Sequence, residues 1–565
     1  MNKRHIYLLG GIFLAGFAYC LFYFNYLATP TEDFLGNIRG RVIEYMAGDF
    51  PGTNYKFLPV YPLLLAFLSK LNFVSSTDVI FSTALYLNIA LFIPYIVVVY
   101  LIYKRFLSRT ATAAALLFIC ANIYTVLTAI NSELEMLLAL LIVCTVYLAM
   151  IDSRLSYVTA FFAAGTKWDS VFAIPAAMFR DFFYRKKRLL AIILGVAATS
   201  GIAVWFVLST INTSQYANPY VGEIARRGPN VYRYLIDCIL VLSGFIQWMA
   251  IDGYFSKELL VKAPAFAFVM VAGVLIIIGV VWGFVLLIKK QGREAAPMLV
   301  FFAGFLLVHM VYQNTKDRYV LPVLWLLTLA LFYGFSEGIF PWLAGMYRRY
   351  IRRRRWRAPV FYGIVAMAYA VSIGLLLHHR MFAHIAFALV FTLLLYLILR
   401  ADGEKIKGRI AVLVLTVVGG VLFNFMVFYG HTMMDHHSLR RVEFKKAALW
   451  YKDAYKAGDR MLITEISVPM YYTGFGADRF VSPNAIESAT LKELQKELAE
   501  KGVTYVFVDD FYIRRYEYKD KNAIDKKAWL FKEIRDGNLL DGRLTLVAFF
   551  ETGGGIKSYV YRFVR

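Results

Sequence analysis

ATPTEDFLGNIRGRVIEYMAGDFPGTNYKFLPVYP, residues 28–62, leaves the first apolar run of the chain and returns to the second. It sets Glu32, Asp33, Arg39, Arg41, Glu44, Asp49 and Lys56 directly beside stretches suited to hydrocarbon. Ile38, Val42, Tyr45 and Met46 recur at helical spacing, which predicts a short amphipathic helix lying on a membrane surface. Such a helix would hold Asp33 at the interface, in reach of a lipid-borne reactant. The alternative is that Asp33 simply caps the helix N-terminus.

Working outward, the 565-residue chain is 60% hydrophobic and 18% charged, with mean hydropathy +0.58. Apolar runs of about 20 residues, the length that spans a bilayer, recur along it. This predicts a polytopic α-helical membrane protein. The net charge of +23 does not mark a nucleic-acid partner, because its Lys and Arg lie in short loops between apolar runs. Cys20, Cys120, Cys144 and Cys238 sit in apolar segments without CxxC or metal-ligand spacing and read as small core residues. The first span, residues 7–27, follows a basic start but precedes no small-residue cleavage site, so it is read as a retained helix.

Basic clusters at 104–109, 185–188, 289–293, 348–357 and 405–409 are assigned to the cytoplasmic side together with the N-terminus. The segments after Leu27, around 131–133, around 167–169, 209–262, 313–318 and 378–380 then face outward. That alternation yields about 13 transmembrane helices. Residues 234–251 are nearly long enough to span, but a crossing there would move the arginine-rich 348–357 loop outward. They are read as a re-entrant or interfacial helix, with Asp237 bordering a wet cavity.

The membrane module covers residues 1–430, and from about His431 the composition turns soluble. Residues 431–565 read as an extracytoplasmic α/β domain: a charged helix (442–459), a strand MLITEISV (461–468), a helix (489–502), a strand VTYVFVDD (503–510) and a hairpin of 545–551 with 558–564. His431, His436 and His437, with Asp435 between them, read as a linker at headgroup level. Asp509 and Asp510 read as strand-end charges.

Several outward residues carry suitable chemistry. Glu133 stands where an apolar helix begins, so either the helix dipole or an active site explains it, while Glu135, two residues on, is expected on another helical face. Lys167 and Asp169 interrupt an apolar stretch and either pair with each other or meet a ligand. Arg318 directly precedes the apolar run 319–335 and so sits at headgroup depth, with Lys316 beside it.

The order of first helix, Glu32-Asp33, amphipathic VIEYMAGDF (42–50) and YKFLPVYPLLLAFL (55–68) resembles the first outward loop of GT-C-fold glycosyltransferases. The nearest relatives in that resemblance are the protein O-mannosyltransferases and the bacterial aminoarabinose transferases that modify lipid A. NSELEMLLALL (131–141), AAGTKWDSVFAIPA (163–176) and TKDRYVLPVLWLL (315–327) extend it, as does the layout of 13 helices followed by an external domain. The Lys-Pro-Pro-type element of the relatives is here Lys56-Phe57-Leu58-Pro59.

The resemblance implies a GT-C-like fold and inverting transfer of a sugar from a polyprenyl phosphate to a protein, lipid or glycan acceptor outside the cytoplasm, in a bacterial or archaeal plasma membrane. It implies catalytic roles for Asp33, as base, and Glu133. Lys56, Lys167, Lys316 and Arg318 are the expected donor-phosphate contacts, and Glu32, Tyr55 and Tyr61 the expected substrate contacts. The lipid-linked donor is the one required small molecule; assistance from a divalent ion is open, since no ligand constellation compels one, yet Asp33 and Glu133 could share an ion if the fold brings them together. The rival classes are a lipid-linked saccharide transporter or flippase and an oligosaccharide ligase or polymerase. Internal repeats and paired broken helices, which mark many transporters, are not evident by eye, and the charges gather at the outward helix ends.

Overall fold

The computed structural model describes residues 3–24, 29–31, 33–51, 58–71, 78–212, 231–243, 264–311, 317–339, 341, 357–378, 381–401, 409–439, 442–464, 466–488, 490–510, 513, 526–551 and 557–564. The chain divides into two compact units: Met1–Phe24 with Arg41–Thr432, and Asn25–Gly40 with Met433–Arg565.

The first unit is helical. Among the described residues, six helices are long and apolar enough to cross a bilayer: His5–Tyr23, Val79–Phe106, Arg188–Leu208, Gly273–Met310, Leu321–Ile339 and Phe382–Arg400. A seventh crossing forms if the helices Arg109–Ala121 and Ile123–Ile130, bent by 57°, make one span. These elements establish an integral membrane protein but not the expected count of 13.

Local sequence explains the breaks. Asp78 opens one long helix by accepting from the Phe81 amide, and Ser108 opens the next through the Ala111 amide. Asn122 sits at the 57° bend, where its side chain accepts from the Tyr124 amide and donates to the Val241 carbonyl. A freed backbone group is thereby satisfied inside the protein, as a break at membrane depth requires. Helix Pro264–Val311 breaks at Gln291, whose backbone is non-helical (φ −133°, ψ 18°). The basic 289–293 cluster therefore marks a turn between two helices, as its charge suggests.

Gly279 and Gly283, four residues apart, bring one of those helices against Leu321–Gly334 at backbone distance. A Cβ at Gly283 would lie 1.8 Å from the Ala330 carbonyl oxygen, and one at Gly334 2.1 Å from that of Gly279. Small residues at this spacing allow the close packing that holds membrane helices together.

Three expectations can be set against these elements. The helix Arg409–Leu439 runs past His431, although its apolar stretch, Leu415–His431, ends there. The side chains of Asp435, His436 and His437 lie outside the described residues. Within 234–251, the helix spans Val231–Ser243, and residues 244–251 lie outside the description. The expected strand 461–468 is a strand only at Met461–Leu462; Ser467–Thr473 is a helix, with Pro469 in its first turn, where its missing N–H costs nothing.

The C-terminal part of the second unit is a five-stranded sheet: β1 (Met461–Leu462), β2 (Phe480–Val481), β3 (Tyr505–Asp509), β4 (Leu544–Glu551) and β5 (Lys557–Phe563), in the order β2-β1-β3-β5-β4. β2, β1 and β3 run parallel, and β5 and β4 complete the sheet antiparallel. Helix Leu491–Glu500 starts on a capping box of Thr490 and Glu493. Leu494, Leu498, Val506, Val508 and Phe563 pack on one face of the sheet, and Phe444, Tyr451, Phe507 and Val560 on the other.

Candidate functional site

The expected outward residues of the helical unit converge on one buried cluster. Its base is the bend at 131–134, where two side chains from neighbouring helices satisfy backbone carbonyls. Asn88 donates to the Glu133 carbonyl at 2.6 Å, and the Tyr61 hydroxyl donates to the Ser132 carbonyl at 2.8 Å. Because the helix begins only at Glu135, Glu133 and Glu135 do not stand two positions apart on one helix. The expectation that Glu135 points to another face therefore fails. Both carboxylates are buried, and both meet Arg318, which pairs with Glu133 and lies 3.7 Å from Glu135.

A second branch adjoins through Lys167, whose ammonium lies 3.3 Å from Asp169 and 4.0 Å from Glu135. Lys167 and Asp169 do pair with each other, and Asp169 also faces His309 Nε2 at 3.3 Å. Burial alone would push the Asp169 carboxyl up, but the Lys167 charge and the His309 contact outweigh it and hold the group below the usual carboxylate range. The Tyr319 ring stands under both cations, 4.0 Å from the Lys167 ammonium and 5.6 Å from the Arg318 guanidinium. Tyr234 stacks on His309 and donates its hydroxyl to the Tyr319 carbonyl at 3.0 Å.

Sequence reasoning did not single out His309, Tyr234 or Tyr319. Lone aromatic and imidazole side chains near the ends of apolar helices carry no distinguishing pattern. An intramembrane histidine in an otherwise apolar helix was the one available signal.

Chemically, the cluster sets cations beside carboxylates at one end of the bundle. Arg318 keeps about a quarter of its side chain exposed (23%) while facing both Glu133 and Glu135. Fixed cations held in this way can stabilise negative charge that develops on a nearby oxygen.

Asp33 belongs to the second unit. It is half-buried and directly precedes a π-helical turn, Phe34–Arg39, that leads into the amphipathic helix Gly40–Ala47. Its side chain makes no capping hydrogen bond to that turn; the Phe34 amide is taken by the Thr31 hydroxyl at 3.0 Å instead. The capping explanation for Asp33 is thus set aside. Ile38, Val42 and Tyr45 are buried along the turn and helix, as their spacing predicts. Glu32, Tyr55, Lys56 and Lys316 lie outside the described residues. Among the described residues, no group of three or more His, Cys, Asp and Glu is arranged to hold a metal ion.

No protein-family model and no curated protein matches this sequence. Solved structures do. ArnT from Cupriavidus metallidurans, bound to undecaprenyl phosphate, matches over 99% of this chain and 98% of its own, at 13% identity and TM-score 0.54. The archaeal oligosaccharyltransferase AglB from Archaeoglobus fulgidus, in complex with an inhibitory peptide and a dolichol-phosphate, matches over 99% of this chain and 74% of its own, at 10% identity and TM-score 0.50. At such identities the likeness is one of fold. That fold is the one of the GT-C membrane glycosyltransferases.

Proposed function

We propose that this chain is a glycosyltransferase that takes a sugar from a polyprenyl phosphate and passes it, with inversion, to a protein, lipid or glycan acceptor on the extracytoplasmic side. The carrying observation is the buried Glu133–Arg318–Glu135 and Lys167–Asp169 cluster in a chain of GT-C fold. A charged network of this size inside an apolar bundle is costly to maintain and marks a site of function.

Asp33 takes the proton of the acceptor hydroxyl as that oxygen bonds to C1 of the sugar. The bond from C1 to the phosphate oxygen breaks, and polyprenyl phosphate leaves with the electron pair. Arg318 and Lys167, with Lys56 and Lys316, stabilise the phosphate, and Glu133 keeps Arg318 oriented before the donor arrives. Glu32, Tyr55 and Tyr61 are assigned to substrate, Tyr61 through the bend it supports. In this reading residues 1–430 form the catalytic module, with about 13 helices and a cytoplasmic N-terminus. Residues 431–565 form an extracytoplasmic domain.

The test is transfer by the purified protein in lipid nanodiscs, offered a panel of polyprenyl-phosphate sugars. Intact protein should release polyprenyl phosphate, and folded Asp33→Asn should lose about a hundredfold or more of that rate. Donor that crosses the bilayer unchanged, equally well with Asp33→Asn, would overturn this reading in favour of a transporter.

A further inference from the structure

The segment that carries Asp33 packs against the core of the C-terminal sheet domain, about 430 residues away in sequence. Leu35 packs among the side chains that cover one face of the sheet, with Ile466, Met470 and Tyr472. Gly36 meets the helix Ser467–Thr473 so closely that a Cβ there would stand 3.1 Å from the Ser467 hydroxyl. The Arg39 guanidinium lies over the Tyr471 ring, 5.2 Å from its centre. The Lys445 ammonium lies 5.3 Å from the centre of the Tyr472 ring.

We propose that the C-terminal domain positions Asp33: the helix Ser467–Thr473 grips residues 35–39 and so fixes the turn that Asp33 directly precedes. The contacts follow Asp33 within six residues, at Leu35, Gly36 and Arg39. A short surface segment left to itself samples many backbone states, and each contact removes some of them. A general base gains from this, since rate depends on holding it within hydrogen-bond reach of the proton it takes. Leu35, Gly36 and Arg39 face the domain through three unlike interactions: burial, close backbone approach and a cation over an aromatic face. Tyr471, Tyr472 and Ser467 are therefore positioning residues. This rests on the reading of Asp33 as the base, but the grip itself can be examined without it.

The experiment joins the two elements covalently. With Gly36→Cys and Ser467→Cys together, the 3.1 Å approach of a Gly36 Cβ to the Ser467 hydroxyl oxygen brings the two Cβ atoms to the upper end of the disulfide range, so the bond should form on oxidation in the membrane, and turnover of the oxidised and reduced double variant should agree within about twofold. In parallel, Tyr471→Ala should lower kcat about tenfold with donor KM unchanged, and speed amide exchange in residues 33–39. Tyr471→Phe, which keeps the ring, should restore both.

Failure of the disulfide to form, or turnover lost on oxidation and regained on reduction, would overturn the proposal. So would Tyr471→Ala with unaltered kcat and exchange. If intact protein transfers no sugar from any donor, the functional reading fails, while the cross-link and the exchange pattern still decide whether the domain grips this segment.

Discussion

The two ends of the helical bundle treat charge differently. Helix Leu321–Ile339 has Arg318 before its start and Glu337 near its finish, about 28 Å apart at the usual rise per residue. At the Arg318 end, Glu133, Glu135 and Asp169 are over nine-tenths buried, and each carboxylate faces at least one basic side chain. At the other end, Lys290 meets Glu337 at 2.9 Å with nearly half of each side chain exposed, and Arg105 meets Glu294 at about a third. The geometry of the pairs is similar and their surroundings are not. An exposed pair is close to neutral in energy, whereas a buried partner becomes an uncompensated charge once its counterpart is removed. Ion pairs at the exposed end fit a topology signal; those at the buried end fit a functional site.

The comparison breaks most visibly at Arg318. Arg318→Ala should destabilise the protein by about 3 kcal/mol, because two buried carboxylates lose their shared cation, and denaturant unfolding in detergent would read it. Lys290→Ala should leave the unfolding midpoint unmoved; if the two changes prove equal, burial is not what separates the ends. Tyr61→Phe comes next. Loss of its hydroxyl strands the buried Ser132 carbonyl, at a cost of about 1–2 kcal/mol by the same unfolding measurement.

Smaller effects lie in the C-terminal unit, where polar groups sit near water. Thr490→Ala removes a capping box and should cost about 1 kcal/mol, seen as faster amide exchange confined to Leu491–Glu500. The mildest effect concerns pH. Burial would push the Glu497 carboxyl up, but the Ser488 hydroxyl and the backbone amides of Glu487 and Ser488, the latter each at 3.0 Å, hold it below the usual range. A carboxylate with a depressed folded value stabilises fully above about pH 5 and loses that contribution as pH falls through the folded value. Exchange protection of the loop 486–488 should therefore weaken on acidification below that point, and Glu497→Gln should flatten the dependence.

Much of this architecture could be read from the residues alone, for physical reasons that differ by region. Hydropathy and Lys/Arg placement report helix ends directly, so the turn at 289–293 and the charged ends at 131–133, 167–169 and 313–318 were accessible. Spacing told of the amphipathic stretch through Ile38, Val42 and Tyr45. Periodicity assumed that Glu133 and Glu135 share a helix, and it failed because Asn88 and Tyr61 hold the bend open until Glu135. Those hydrogen bonds come from far along the chain and leave no local mark. The same is true of His309 and Tyr234, and of Leu35, an ordinary apolar residue whose packing against the sheet domain depends on partners beyond residue 440. The strand 461–468 was overextended because Ile463 to Val468 alternates suitably, while Pro469 and the packing of Met470 decide for a helix.

The touching glycines bear on variation in this chain. Lipid tails are as apolar as the side chains they surround, so the contact between Gly283 and the Ala330 carbonyl depends on shape alone. Gly283→Ala would pass every hydropathy scan and thread the bilayer in the same order. Its one added methyl would still drive a wedge against the helix that begins three residues after Arg318. A lineage could thus keep its topology, expression and composition intact and lose the registration of its charged centre through a change of a single carbon atom.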